Sequence, residues 1–329
     1  MIVVSINDYE HVNDMIEYSA YKVIKSYEEE KNTAPRGIYF NKSMSLINNN
    51  LKNHGIDMKL PHCWYRWGDE VVRYFMPYEI KWDHEESQYT KVKWIGDVPN
   101  PPESEPRKII DNTVLYVLEK YSNKDALPEF IDLIYENAPF EFQRKYRFVR
   151  EFFFLTKNKS LGISDPLKEV LLPQISDALD HFPEDNQFQT IREFIPAFKK
   201  FVEYSVNSNR NDYSELEEVS EEFWFWFSYF LRLHKDAHEN VNQETILIWR
   251  EKLSVETENF YNNFKNHVLS LSKYNKDVRN DKILGQYLIE AEYEESEDEL
   301  IFADFKETVK DLDDFLKEND NKFHAKTFD

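Results

Sequence analysis

Between residues 97 and 107 the chain reads DVPNPPESEPR, with prolines at 99, 101, 102 and 106. Proline lacks an amide hydrogen and fixes its own φ, so this stretch cannot continue a helix and tends toward extended polyproline geometry. It divides the sequence into two parts with different periodicities. We therefore expect a first domain over 1–96, a proline-rich linker over 97–107, and a second domain over 108–329.

Upstream of the linker the pattern is mixed. Residues 1–6 read as a short strand. Val12, Ile16, Ala20, Val23 and Tyr27 recur at three- and four-residue spacing, which predicts a helix over about 8–31. Met44, Leu46, Ile47 and Leu51 predict a second helix over about 38–53, with Gly55 ending it. Pro61 precedes a predicted third helix, about Cys63 to Tyr74. Then the period changes to two. Ile80, Trp82, Val92 and Trp94 alternate with polar residues, so 78–83 and 89–94 read as strands joined by HEESQ. Three helices followed by a β-hairpin is the order of a winged helix.

Downstream, helical spacing dominates. Helices are expected at about 109–121, 128–137, 140–156, 166–179, 188–205, 215–234, 243–271, 281–290 and 302–318. Asp165–Pro166 supplies a cap followed by proline at a first helical position. Pro196 is expected to kink or split its helix. The fold class is thus mainly α: a winged-helix-like domain followed by an irregular all-α bundle.

Composition narrows the function. Only 6 glycines occur in 329 residues, and no GxGxxG, Walker A or GxSxG pattern is present, which removes the commonest nucleotide-binding and hydrolase readings. The single cysteine, Cys63, allows no internal disulfide and fits a reducing compartment. The first residues carry no basic segment followed by an apolar core, and the longest apolar run, Phe223 to Leu233, is too short to span a bilayer. A cytoplasmic protein without a membrane partner is expected, and no cofactor is implied. Its net charge of −21 disfavours a surface that coats nucleic acid. Residues 1–100 are nearly balanced, with 12 Lys/Arg against 15 Asp/Glu, so the acidity belongs to the later part.

The densest local feature is LPHCWYRWGDEVVRYFMP, residues 60–77, with five aromatic residues, a cysteine, a histidine and two arginines. On a helix, Arg66 and Arg73 would share one face. In a winged helix, the third helix enters the major groove and the hairpin touches the backbone. Arg66, Arg73, Lys81, Lys91 and Lys93 are therefore the candidate contacts to DNA, or to a protein partner if the domain serves as a binding module. Adjacent in sequence, Cys63 and His62 would point in different directions on a helix, so no nucleophile pair is read there.

The same region carries a family resemblance. YFNKSMSLINNNL followed by LPHCWYRWGDEVVR resembles the Panacea, or SocA-like, antitoxin domain, over about residues 10–96. That domain has an early helix carrying a lysine and leucines, then an aromatic element; Trp67–Gly68–Asp69 stands where the family commonly has Tyr–Gly–Pro. The resemblance implies a small helical interaction domain that neutralises a toxin or acts as an adaptor, without catalysis of its own.

Three further features stand out downstream. His234 and His238, four apart near the end of the aromatic helix, could chelate a metal, the basis of a metal-dependent helical-bundle enzyme reading. The aromatic run Phe223–Phe230 circles its helix and reads as a buried centre. Arg144, Lys145, Arg147 and Arg150 are expected to pair with the chain's own carboxylates. The leading expectation is a non-enzymatic regulatory protein that binds a protein partner, with a DNA-binding regulator as its first rival. Oligomeric state is not readable.

Overall fold

The computed structural model describes residues 6–84, 90–122, 132–159, 165–208 and 214–291. It is mainly helical, with two small sheets. Helix α1 spans Ile6–Lys31 and α2 Gly37–Asn53; strands β1 (His62–Tyr65) and β2 (Gly68–Val71) follow, then a short 3-10 turn at Arg73–Phe75. Strands β3 (Ile80–His84) and β4 (Thr90–Trp94) precede α3 (Ser104–Ser122). A helical turn at 132–135 leads to α4 (Glu141–Lys159), α5 (Asp165–Asp180), α6 (Gln189–Asn207) and α7 (Ser214–Leu231). The two-residue strand β5 (His238–Glu239), helix α8 (Gln243–Tyr274), a 3-10 turn at Lys276–Asn280 and α9, residues 284–291, complete the described chain.

Most predicted helices form, several with longer ends. One does not. The stretch expected as a third helix from Cys63 to Tyr74 is the β1–β2 hairpin and the 3-10 turn, so helix–helix–helix–hairpin becomes helix–helix–hairpin–hairpin. The physical reason is period-two alternation. His62 and Trp64 face one way, Cys63 and Tyr65 the other, and Gly68 at φ +92° reverses the chain. Helix α6 runs unbroken through Pro196. The expected strand at 1–6, the helix at 302–318 and the HEESQ loop fall wholly or largely outside the described residues.

Among the described residues, those of Met1–Glu193 and Ser220–Glu258 form one compact unit, and those of Phe194–Val219 and Asn259–Asp329 a second. In unit 1, α2 packs on α1 and α3 through Phe40, Met44, Ile47, Leu51, Ile110 and Val114, all buried. The inner face of the β3–β4 hairpin covers α1 and α2, with Trp82 edge-on to Phe40 (5.4 Å) and Trp94 edge-on to Tyr21 (5.7 Å). Residues on both sides of the proline-rich stretch belong to unit 1, and α3 starts within that stretch at Ser104. A second aromatic core joins α4 to α7. Tyr146 stacks on Trp224 at 5.8 Å, and its hydroxyl shares a hydrogen bond with Ser220 Oγ at 2.8 Å. Phe142 meets Phe227 and Phe182 at 4.8 Å each. Each such ring contributes about 1.5–3 kcal/mol by burial alone.

In unit 2, Phe194 packs edge-on to Phe264 (4.6 Å) and Phe260 (5.0 Å), the part of the α8 stripe beyond residue 258. Asp281 caps α9 by accepting from the amides of Ile283 and Leu284 at 2.8 and 3.0 Å. No helix among the described residues is long and apolar enough to cross a membrane.

Candidate functional site

The β1–β2 hairpin buries ionisable groups. Its register pairs His62 with Val71 and Trp64 with Asp69, so His62 and Asp69 are diagonal neighbours on one face. His62 Nδ1 donates to Asp69 Oδ1 at 2.6 Å, and both residues are buried. Asp69 Oδ2 accepts from Ser45 Oγ at 2.7 Å. Helix α2 supplies the rest of this wall. Lys42, Ser45, Asn49 and Lys52, at three- and four-residue spacing, share one face of this helix. Lys42 is buried; its ammonium donates to the Trp67 carbonyl, with the Asp69 carbonyl at 3.4 Å. A Cβ at Gly68 would stand 2.6 Å from Lys42 Nζ, so glycine is required there for clearance as well as for its positive φ.

Strand β5 returns from far along the chain to pair with β1, setting Glu239 opposite His62 and His238 opposite Cys63. Glu239 accepts from Lys52 and lies 3.7 Å from His62 Nε2, too far for a hydrogen bond; that buried nitrogen has no hydrogen-bond partner. Burial works against charge on the imidazole, but the charge and hydrogen bond of Asp69, assisted by Glu239, outweigh it and raise the His62 pKa to about 9. His62 is therefore an imidazolium at neutral pH. Burial lowers the Lys42 pKa against the opposing pull of Asp69 and Glu70. Facing His62 and Lys52, the Glu239 carboxyl is held down to about 2. His62, Asp69, Lys52 and Glu239 line a cleft of about 280 Å³, with Asn49, Asn53 and Asn137 adding amides and Trp64 an aromatic wall.

The opposite face of the hairpin carries Cys63 and Tyr65, with Glu70 set opposite Cys63. Cys63, Val72 and Trp249 form its core, and burial pushes the thiol far up. Arg232, itself buried, lies over Tyr65 (4.8 Å), Tyr229 (4.6 Å) and Trp249 (5.3 Å). Strand alternation thus separates His62 from Cys63.

The residues singled out from sequence are dispersed. Arg66 and Arg73 share no helix face, because the segment joining them is the β1–β2 hairpin. Arg66, in the β1–β2 turn, sits 3.4 Å over the Phe225 ring, and its carbonyl accepts from Trp224 Nε1 at 2.8 Å. Arg73 sits 4.4 Å over Trp82. Lys81 and Lys93 both pair with Asp83 at 2.8 Å on the outer face of the second hairpin, whose strand β4 carries Lys91 beside Arg36. His234 and His238 are not on one helix face either, since α7 ends at Leu231. Buried His234 is 3.5 Å from Asp185 and stacks on Phe188 at 5.6 Å, while His238 packs against Trp249 at 6.4 Å. Neither belongs to a group of three close metal-ligand atoms among the described residues. The basic helix pairs internally as expected: Arg150 grips both Glu221 oxygens at 2.6 and 2.8 Å, and Lys145 pairs with Asp177 at 2.6 Å.

Two features escaped the sequence reading. The first is the His62–Asp69–Glu239 arrangement. The second lies in the link from β2 to β3, where Tyr74 and Tyr78 stand 90% and 88% exposed. Beside them the outer edge of β3 pairs with no strand among the described residues. The polar stripe of α2 was the available signal for the first; nothing in the local pattern marks the second.

No protein-family model, curated protein or solved structure matches this chain.

Proposed function

We propose that this chain is a non-enzymatic regulatory protein of the cytoplasm that binds a protein partner through the second hairpin and the tyrosine-bearing link before it. The observation that carries this reading is the pair Tyr74 and Tyr78, large rings held almost wholly in solvent on a short, anchored segment. Solvent-facing tyrosine next to arginine is the composition of interface hot spots. Arg73 is already fixed on Trp82, so little side-chain freedom is lost on binding. The open edge of β3 offers main-chain groups to an incoming strand.

The chemistry of the cleft also supports binding over catalysis. His62 keeps its proton at neutral pH and so does not serve as a general base, and Cys63 lies buried on the other face. The antitoxin resemblance gives the proposal its sharper form, with a toxin as the partner. Its two motif elements touch: Lys42, from YFNKSMSLINNNL, donates to the carbonyl of Trp67 in the Trp67–Gly68–Asp69 element. The DNA-binding alternative has less support, because Arg66 and Arg73 rest on rings and both Lys81 and Lys93 are paired with Asp83.

Co-purification from the native host tests the proposal. The wild-type chain should bring down one protein in near-stoichiometric amount, and Tyr74→Ala with Tyr78→Ala should lose it while keeping its thermal midpoint. Recovery of nucleic acid, released by salt and by Arg66→Ala with Arg73→Ala, would replace this reading with the DNA-binding one. Retention of the same partner by the tyrosine variant would place the interface elsewhere.

A further inference from the structure

Independently of the tyrosine-bearing face, we propose that the cleft beside His62 binds the carboxylate of a small ligand, and that Glu239 is the chain's own stand-in for that group. Four observations lead here. His62 lines the cleft and is more than nine-tenths buried, yet its Nε2 has no hydrogen-bond partner. A buried nitrogen without a partner costs about 1–3 kcal/mol, a cost that an acceptor at hydrogen-bonding distance would remove. Glu239 Oε2 points at this nitrogen from 3.7 Å but stops short, because Lys52 draws it to the other side. The Glu239 side chain is 51% exposed and sits on a strand of only two residues, so it can turn out to solvent without disturbing the core.

Charge selects the ligand class. Lys52 and His62 carry two positive charges into the cleft; Asp69, Asp236 and Glu239 line it with three negative ones. Replacing the Glu239 carboxylate by a ligand carboxylate leaves that balance unchanged. A phosphate dianion would add a further negative charge beside Asp236 and is disfavoured. His62 and Lys52 hold the Glu239 carboxyl down to about 2, the direction expected of a place that favours an anion. The amides of Asn49, Asn53 and Asn137 complete the lining with donors and acceptors for the rest of the molecule. A cleft of about 280 Å³ is at the lower end for ligand sites, which fits a small acid or the last residue of a peptide.

The intramolecular stand-in competes with the ligand, so removing it should tighten binding. The test follows the imidazole resonances of His62 by NMR in the full chain during titration with acetate, N-acetylglycine and N-acetylglycinamide. Saturable shifts are expected with the two acids and none with the amide. Glu239→Ala should bind the acids about tenfold tighter or more than wild type. Adding Lys52→Ala to that variant should undo the gain; both positions are solvent-reaching, so the fold should persist. Equal binding of both acids identifies a free small carboxylate as sufficient, whereas binding of N-acetylglycine alone identifies a peptide terminus. Absence of saturation by either acid in Glu239→Ala would overturn the site. Equal affinity in wild type and Glu239→Ala would overturn the stand-in role, and equal binding of the amide would overturn carboxylate recognition. None of these outcomes bears on the tyrosine face, whose failure would show only in co-purification.

Discussion

The two consecutive hairpins of unit 1 are built from much the same letters and use them in opposite ways. Both hold an aspartate between cations: Asp69 beside His62 in the first, Asp83 between Lys81 and Lys93 in the second. Hydrogen bonds from its two lysines lower the Asp83 carboxyl to about 2, but at the surface such a pair is screened by solvent. The difference is what stands behind the strands. The first hairpin is covered by α2 on one face and by Trp249 on the other, so its charges are taken from water and must be paired. The second covers α1 and α2 with Ile80, Trp82, Val92 and Trp94, and leaves Lys81 and Lys93 in solvent over a partly covered Asp83. A pair of like chemistry therefore holds a fold together in one hairpin and only decorates a surface in the other.

Asp69→Ala is the strongest way to break this contrast. It leaves the His62 imidazole buried without its counter-charge and Ser45 without its acceptor, and should cost about 3–5 kcal/mol in chemical denaturation. A loss below 1 kcal/mol would erase the distinction between the hairpins. Next in size is a pH effect. The His62 pKa is raised on folding from 6.5 to about 9, so its contribution is complete below 6.5 and is lost as pH rises through 9. It amounts to at most about 3 kcal/mol. The lowered pKa of Lys42 acts with the opposite sign at higher pH, so the readout is the difference between wild type and His62→Asn, which should shrink as pH rises. Gly68→Ala forces a side chain onto φ +92° and against Lys42, and should cost about 1–3 kcal/mol. Asp83→Asn, the matched change in the second hairpin, should leave the denaturation midpoint unmoved. A clear loss there would show that the surface cluster is structural after all.

Helices were legible because long three- and four-residue spacings of apolar side chains admit no other regular structure; α1, α2 and α8 follow their patterns closely. The first hairpin was not. In HCWYRWGDEVV the aromatic residues on both faces blur the period-two signal, and Trp64, Trp67 and Val71 also satisfy helical spacing. His62 and Asp69, seven apart, would share a helix face two turns from each other; a tight turn at Gly68 instead brings them into hydrogen-bonding contact. The second carboxylate, Glu239, enters through a strand pairing 177 residues further along the chain, and no local pattern announces such a partner. Arg66 and Arg73 were expected on one helix face, and the ring contacts they make instead, over Phe225 and Trp82, have no signature in local spacing. The stripe Lys42, Ser45, Asn49 and Lys52 along a buried helix was the one clue that a polar wall lay inside.

Direct titration of the His62 ring by NMR tests the buried hairpin most plainly, with His62→Asn to assign the resonance. A midpoint near 9 in wild type is expected, moving down toward the ordinary value of 6.5 or lower in Asp69→Asn. A wild-type midpoint at or below 6.5 would mean that Asp69 holds no proton on this ring, and that the charged wall of the cleft is not formed as described.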